Sequence, residues 1–204
     1  MLPPGARVLD IGCGDGGLVE RLLARGLDVF GVDPRAPVAP RFIQERVEDA
    51  VELGDFDAVT AVMALHHADL HAVTHALGRL MRPHGRLFVY EFAWDAYDTR
   101  AAEWLGEHDA SGADNSVSAW RREHLQLHTA TTVKRALASR FEPVVEARRP
   151  YLARMLRRHD LEPNEQALID AQLLPALGLW YIAQHPEMTL RAESAPLAHD
   201  RFHV

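Results

Sequence analysis

Val8-Leu9-Asp10-Ile11-Gly12-Cys13-Gly14-Asp15-Gly16-Gly17-Leu18 decides the reading of this chain. An apolar run ends in an acid, passes through closely spaced glycines, and opens into a helical pattern of Leu18, Leu22 and Leu23 that stops at Gly26. That order is a strand, a tight turn and a helix N-terminus, which lets backbone approach a nucleotide-like ligand. The glycines alone are ambiguous. Gly12, Gly14 and Gly16 fit G-x-G-x-G, while Gly12, Gly14 and Gly17 fit the dinucleotide fingerprint G-x-G-x-x-G. A glycine turn without a ligand is the plain alternative, and the ordered succession of strand, acid, glycines and helix weighs against it. Asp10 narrows the choice further, because a carboxylate at the mouth of the turn repels a pyrophosphate and suits an ammonium group.

Val29-Phe30-Gly31-Val32-Asp33-Pro34 reads as a second strand ending in an acid that can hydrogen-bond both hydroxyls of a ribose. Such a ribose is common to several nucleoside cofactors, so Asp33 does not choose among them. Phe56-Asp57-Ala58-Val59-Thr60-Ala61-Val62-Met63-Ala64-Leu65-His66-His67 reads as a fourth strand running into a loop. The first of these stretches closely resembles the first motif of the class I S-adenosylmethionine-dependent methyltransferases. The third resembles the fourth-strand segment of that family, with its phenylalanine-aspartate start and leucine-histidine-histidine end. A nicotinamide-dependent oxidoreductase, the reading favoured by the second glycine match, predicts no such segment.

The resemblance implies an α/β fold: a doubly wound, mostly parallel seven-stranded sheet with helices on both faces and the last strand antiparallel. It implies S-adenosylmethionine as cofactor and a small molecule as methyl acceptor. Asp10, Gly12, Cys13 and Gly14 are expected around its methionine end, and Asp33 and Pro34 at its ribose. Glu48 or Asp49 is expected near its adenine edge, with a solvated surface pair as the alternative, and Met63 and Leu65 lie across the crevice. His66 is the first candidate for a general base, since an unperturbed imidazole titrates near ~6.5. His67 and Glu91 are the others, and a pocket-shaping role without proton transfer is the competing reading. A domain that binds the cofactor or its demethylated product without turnover is the runner-up function. The chain departs from the family pattern at its start, where the helix commonly preceding strand one, which helps cover the cofactor, is missing.

The rest of the sequence bounds these expectations. At 204 residues with a formal net charge of -7, the chain is long enough for one core and lacks the basic balance of a nucleic-acid binder. It also has no asparagine- or aspartate-Pro-Pro-aromatic segment after strand four, so nucleic acid is not expected as a substrate. Lys134 is the sole lysine among 22 basic residues, a bias that looks like codon usage rather than function. Cys13, the single cysteine, excludes an internal disulfide and reads as a small packing residue. No apolar run approaches the ~20 residues of a membrane span, and Met1 to Gly5 does not read as a signal peptide, so a cytoplasmic location is expected. The oligomeric state is not legible. His67, His71 and His75 recur at helical spacing but have no carboxylate or cysteine to complete a metal site, so a solvated stripe is the expectation.

Alternation of strands and amphipathic helices places strand one at Arg7 to Ile11, strand two at Asp28 to Val32 and a weaker third at Phe42 to Val47. Strand four ends near Ala64. A helix carrying Val73, Leu77, Leu80 and Met81 closes at Pro83-His84-Gly85, and strand five covers Arg86 to Tyr90. Residues 94–128 loosen into helices over Ala101 to His108 and Ser118 to Leu127, an expected substrate lid in which Trp94, Tyr97, Trp104 and Trp120 cluster. A helix over Thr131 to Ser139, a strand over Phe141 to Arg148, an Asn164-capped helix to Leu174 and a strand over Leu177 to Ala183 complete one domain.

Overall fold

Strand β1 (Arg7–Ile11) lies between β2 (Asp28–Val32) and β4 (Phe56–Val62), parallel to both, in a computed structural model that describes residues 2–186. With β3 (Phe42–Ile43), β5 (Met81–Phe92), β6 (Glu142–Arg149) and β7 (Gly178–Gln184) it forms one sheet of order β3-β2-β1-β4-β5-β7-β6. The chain winds outward from β1 to β3, then returns to β4 on the other side. Connections therefore diverge at the β1–β4 junction and open a crevice at the strand C-termini. β7 runs antiparallel to both β5 and β6.

Strand alternation sends successive side chains to opposite faces. Leu9 and Ile11 pack with Val59, Ala61, Leu77 and Leu137, so α2 (Leu70–Leu80) and α5 (Ala130–Ala138) cover that face. Val8 turns the other way and packs with Val19 of α1 (Gly17–Leu23), Val29 and Ala58. Asp10 shares that second face, which is why an acid inside an apolar strand is buried rather than solvated. A second core joins Phe92 to Tyr97, to Trp104 and Leu105 of α3 (Thr99–His108), and to Trp120 of α4 (Val117–His124). Tyr151, Leu174 and Leu177 complete it, with Leu152 of α6 (Leu152–Met155), and α7 (Glu162–Asp170) packs outside.

Several element boundaries differ from the sequence expectation, each for a local reason. β3 stops at Ile43 rather than Val47 because its partner β2 ends at Val32. β5 begins at Met81 rather than Arg86: Met81 pairs with Phe56, and a register shift absorbs the residues around His84, whose φ is 62°. α4 and α5 start earlier than expected because Ser116 and Thr129 act as their caps, accepting from Ala119 and Thr132 backbone N–H groups. Asn164 caps nothing. α7 begins at Glu162 with Pro163 in its first turn, where a missing N–H is harmless, and it ends at Asp170, short of Leu174. The short α6 has no periodicity to read and was not expected. The expected lid aromatics Tyr97, Trp104 and Trp120 are buried in the second core, and Trp94 alone stays half-buried. No helix of the described residues is long and apolar enough to cross a membrane.

Candidate cofactor and acceptor site

The glycine turn is pinned to the end of β2. Gly12 and Cys13 N–H groups both donate to the Val32 carbonyl, at 2.8 and 3.4 Å. Gly12, Gly14 and Gly16 all have positive φ, at 67°, 55° and 86°. Each glycine has its own reason. A Cβ at Gly12 would lie 2.4 Å from the Ala64 Cβ, and one at Gly16 would lie 2.4 Å from the Phe42 ring. A Cβ at Gly14 would meet nothing within 4 Å, so this residue faces the open crevice. Gly12 is thus required first by the close approach of the β4 loop, not only by a ligand.

Asp33 closes the turn from β2. Its Oδ2 accepts from the Gly14 N–H at 3.3 Å and its Oδ1 from the Arg35 N–H at 2.7 Å. The carboxylate stays half-buried beside the turn, while Pro34 is exposed. Asp10 is 3% exposed and pairs in register with Thr60, whose hydroxyl donates to Asp10 Oδ1 at 2.6 Å. Burial pushes the Asp10 carboxyl up to about 6, with the Thr60 bond and Arg21 opposing the shift. Asp10 makes no ion pair among the described residues, so its ionised form would be stabilised by a cation brought into the crevice. Thr60 escaped the sequence reading. The one polar residue in Ala58-Val59-Thr60-Ala61-Val62, level with Asp10 on a parallel neighbour, was its available signal.

Cys13 is buried against Gly31, whose added Cβ would lie 2.7 Å from the thiol sulfur. Burial first, then the nearby Asp10 and Asp33 carboxylates, push the thiol up to about 12, which rules it out as a nucleophile near neutral pH. Leu65, expected beside the cofactor, instead points into the main core. Glu48 pairs with Arg46 at 3.0 Å, and Asp49 is exposed in the turn after β3.

Across the crevice, the loop after β4 is held by one carboxylate. Glu91, 1% exposed at the end of β5, accepts with Oε1 from the Ala64 and Leu65 N–H groups at 2.9 and 2.6 Å. Its Oε2 lies 2.7 Å from His66 Nδ1. The carboxylate therefore accepts the Nδ1 proton and leaves Nε2 as the basic atom of the ring. His66 is buried, edge-on to Phe92 at 5.0 Å, with its backbone carbonyl accepting from the His128 N–H at 2.9 Å. His67 is exposed, with its ring 4.3 Å from that of His66, and desolvation followed by His66 lowers its basicity. Met63 has φ 57°, a strained conformation for a residue with a side chain, held by its N–H donating to the Tyr90 carbonyl at 2.8 Å. His71 and His75 are exposed on α2, and the described residues contain no cluster of ligands suited to a metal.

The second core backs His66 through Phe92. The Tyr151 ring stacks on Phe92 at 5.1 Å, and Glu165 fixes its backbone. Glu165, fully buried on α7, accepts from the Tyr151, Leu152 and Ala153 N–H groups at 2.7, 2.9 and 2.8 Å. A groove of about 610 Å³ runs along the sheet face beside α1, from Leu2 and Leu27 past Thr60 and Val62 to Arg154.

This sheet order, with its antiparallel β7, is that of the class I methyltransferase fold rather than the all-parallel dinucleotide-binding sheet. The family described as "Methyltransferase domain" matches residues 1–140, and the chain belongs to it. A ubiquinone biosynthesis O-methyltransferase from Xanthomonas oryzae pv. oryzae is 36% identical over 105 residues, covering 42% of each chain. The match therefore spans less than half the length of that relative. Among solved structures, a SAM-dependent methyltransferase from Methanosarcina mazei is 17% identical with a TM-score of 0.60, over 91% of this chain and 95% of its own. A geranyl diphosphate C-methyltransferase from Streptomyces coelicolor A3(2), solved with S-adenosyl-L-homocysteine, is 18% identical with a TM-score of 0.56. That match covers 91% of this chain and 71% of the neighbour.

Proposed function

We propose that this chain transfers the methyl group of S-adenosylmethionine to a small-molecule acceptor. The observation that carries the reading is the pairing of two sites across one crevice. On one side lie an open glycine turn, the Asp33 carboxylate and a buried Asp10 that makes no ion pair among the described residues; on the other lies the His66–Glu91 pair. The turn and both acids fit the cofactor: Gly14 leaves room, Asp33 can accept from the ribose hydroxyls, and Asp10 can face the ammonium group. When bound, the cofactor supplies an electrophilic methyl on a cationic sulfur, and a neutral thioether leaves. The protein has to orient the acceptor, exclude water and, for a protonated acceptor, take a proton.

His66 Nε2 takes that proton, and Glu91 holds the ring and balances the imidazolium charge. Glu91 is not itself the base, because its two oxygens are already engaged by three donors. A His66→Ala variant tests the assignment. It should bind S-adenosylhomocysteine nearly as wild type does, since the cofactor's polar anchors lie on β1 and β2. Turnover with a responsive acceptor should fall by roughly 10²–10⁴, and the rising limb of the pH–rate profile should vanish with it. Full rate with an unchanged profile would make His66 structural.

A further inference from the structure

The loop that carries His66 is gripped at both ends, and Glu91 accounts for one of them. Its carboxylate takes the His66 Nδ1 proton and the Ala64 and Leu65 N–H groups, so it fixes the start of the single helical turn Leu65–His67. The other end of that turn is held by His128, the residue before the Thr129 cap of α5. The His128 N–H donates to the His66 carbonyl at 2.9 Å, and its ring Nε2 lies 3.0 Å from the Ala68 carbonyl. A carbonyl can only accept, so Nε2 carries the proton and donates it. His66 is buried and Ala68 half-buried, so leaving either carbonyl unpaired would be costly.

His128 is held in its turn. Its carbonyl accepts from Trp94 Nε1 at 3.2 Å, and the Trp94 carbonyl accepts from Trp120 Nε1 at 2.9 Å. Thr129, the next residue, accepts with Oγ1 from the Thr132 N–H and so fixes the chain on the other side. Trp94 follows Glu91 by three residues. Both grips therefore start from the end of β5, one through Glu91 directly and the other through Trp94 by way of His128.

We infer that His128 is a positioning residue for His66: it holds the end of the turn and, with Glu91, sets where His66 Nε2 points. The backbone bond to His66 could be made here by any residue except proline. The bond to Ala68 is different, because it needs a side-chain donor with the reach of an imidazole Nε2. The His128 side chain thus acts on His66 through the backbone of the turn. The inference rests on the reading of His66 as the proton acceptor and adds a second residue to that assignment.

Nuclear magnetic resonance on the full chain, isotope-labelled at its histidine nitrogens, tests it without an acceptor. In the wild type at pH 8, His128 should be protonated on Nε2 and bare on Nδ1. The His66 Nδ1 proton, assigned by its loss in His66→Ala, should exchange slowly with water. His128→Ala should speed that exchange about tenfold or more while its circular dichroism stays native. His128→Gln, whose amide N–H reaches as far as Nε2, should return it to within about twofold of wild type. A wild-type His128 protonated on Nδ1 alone would overturn the inference, and that measurement needs no variant to fold. An unchanged His66 signal in His128→Ala, or the same acceleration in His128→Gln, would overturn it as well. The readout uses neither cofactor nor acceptor, so it is independent of the S-adenosylhomocysteine titration that tests methyl transfer itself.

Discussion

At the scale of single residues, the sequence showed Asp10, Gly12, Gly14 and Asp33 because each sits where a strand ends and a turn begins, a local and readable context. It could not show that Leu65 turns inward, or that Glu91 engages His66, since those depend on how two distant strands lie side by side. Asp10 carries a pH signature. Its carboxyl is raised from 3.8 to about 6, so the folded protein holds this proton more tightly than the unfolded chain does. That contribution to stability is whole below the unfolded value and is lost as pH rises through the folded one. At neutral pH the buried anion costs roughly 2–3 kcal/mol. Asp10→Asn should therefore raise stability in denaturant titrations at pH 7.5 and bring no gain at pH 3.5. The same proton removes the partner of a ligand's ammonium group: affinity for S-adenosylhomocysteine should fall about tenfold between pH 8 and pH 5, and Asp10→Asn should flatten that slope. Asp33→Ala should weaken binding by roughly 1–3 kcal/mol through lost charge-assisted hydrogen bonds, as calorimetry would read it.

Elements were legible where periodicity or caps were local, and misread where a tertiary partner set the boundary. β1 and β2 matched their apolar runs residue for residue. β3 was cut short by the end of β2, and β5 was lengthened by Phe56, neither of which a run of residues can announce. The aromatics of residues 94–128 were read as pocket lining, yet three of them build a second core with Tyr151 and Leu177. Glu165 shows what such a core demands. A fully buried carboxylate is tolerated on α7 because three backbone N–H groups of the α6 turn donate to it. Glu165→Ala would strand those donors in an apolar setting and should cost roughly 2–4 kcal/mol in equilibrium unfolding. Because that turn carries Tyr151, the loss should also loosen the Tyr151–Phe92 stack against which His66 packs. An exposed control such as Glu103→Ala should stay within about 0.5 kcal/mol of wild type.

The whole molecule places the glycine turn and the His66 loop on either side of the β1–β4 junction, where the winding of the sheet reverses. Doubly wound topology was foreseeable from the βαβ alternation and from family resemblance; the antiparallel seating of β7 came from the resemblance alone, since no single strand encodes its direction. The central claim is that this junction holds an S-adenosylmethionine-type cofactor rather than a dinucleotide. Calorimetric titration of the chain with S-adenosylhomocysteine and, in parallel, with NAD tests it most directly. One site per chain for S-adenosylhomocysteine, weakened in Asp33→Ala, with no heat of binding for NAD, is the predicted result. Binding of NAD with none of S-adenosylhomocysteine would contradict the account.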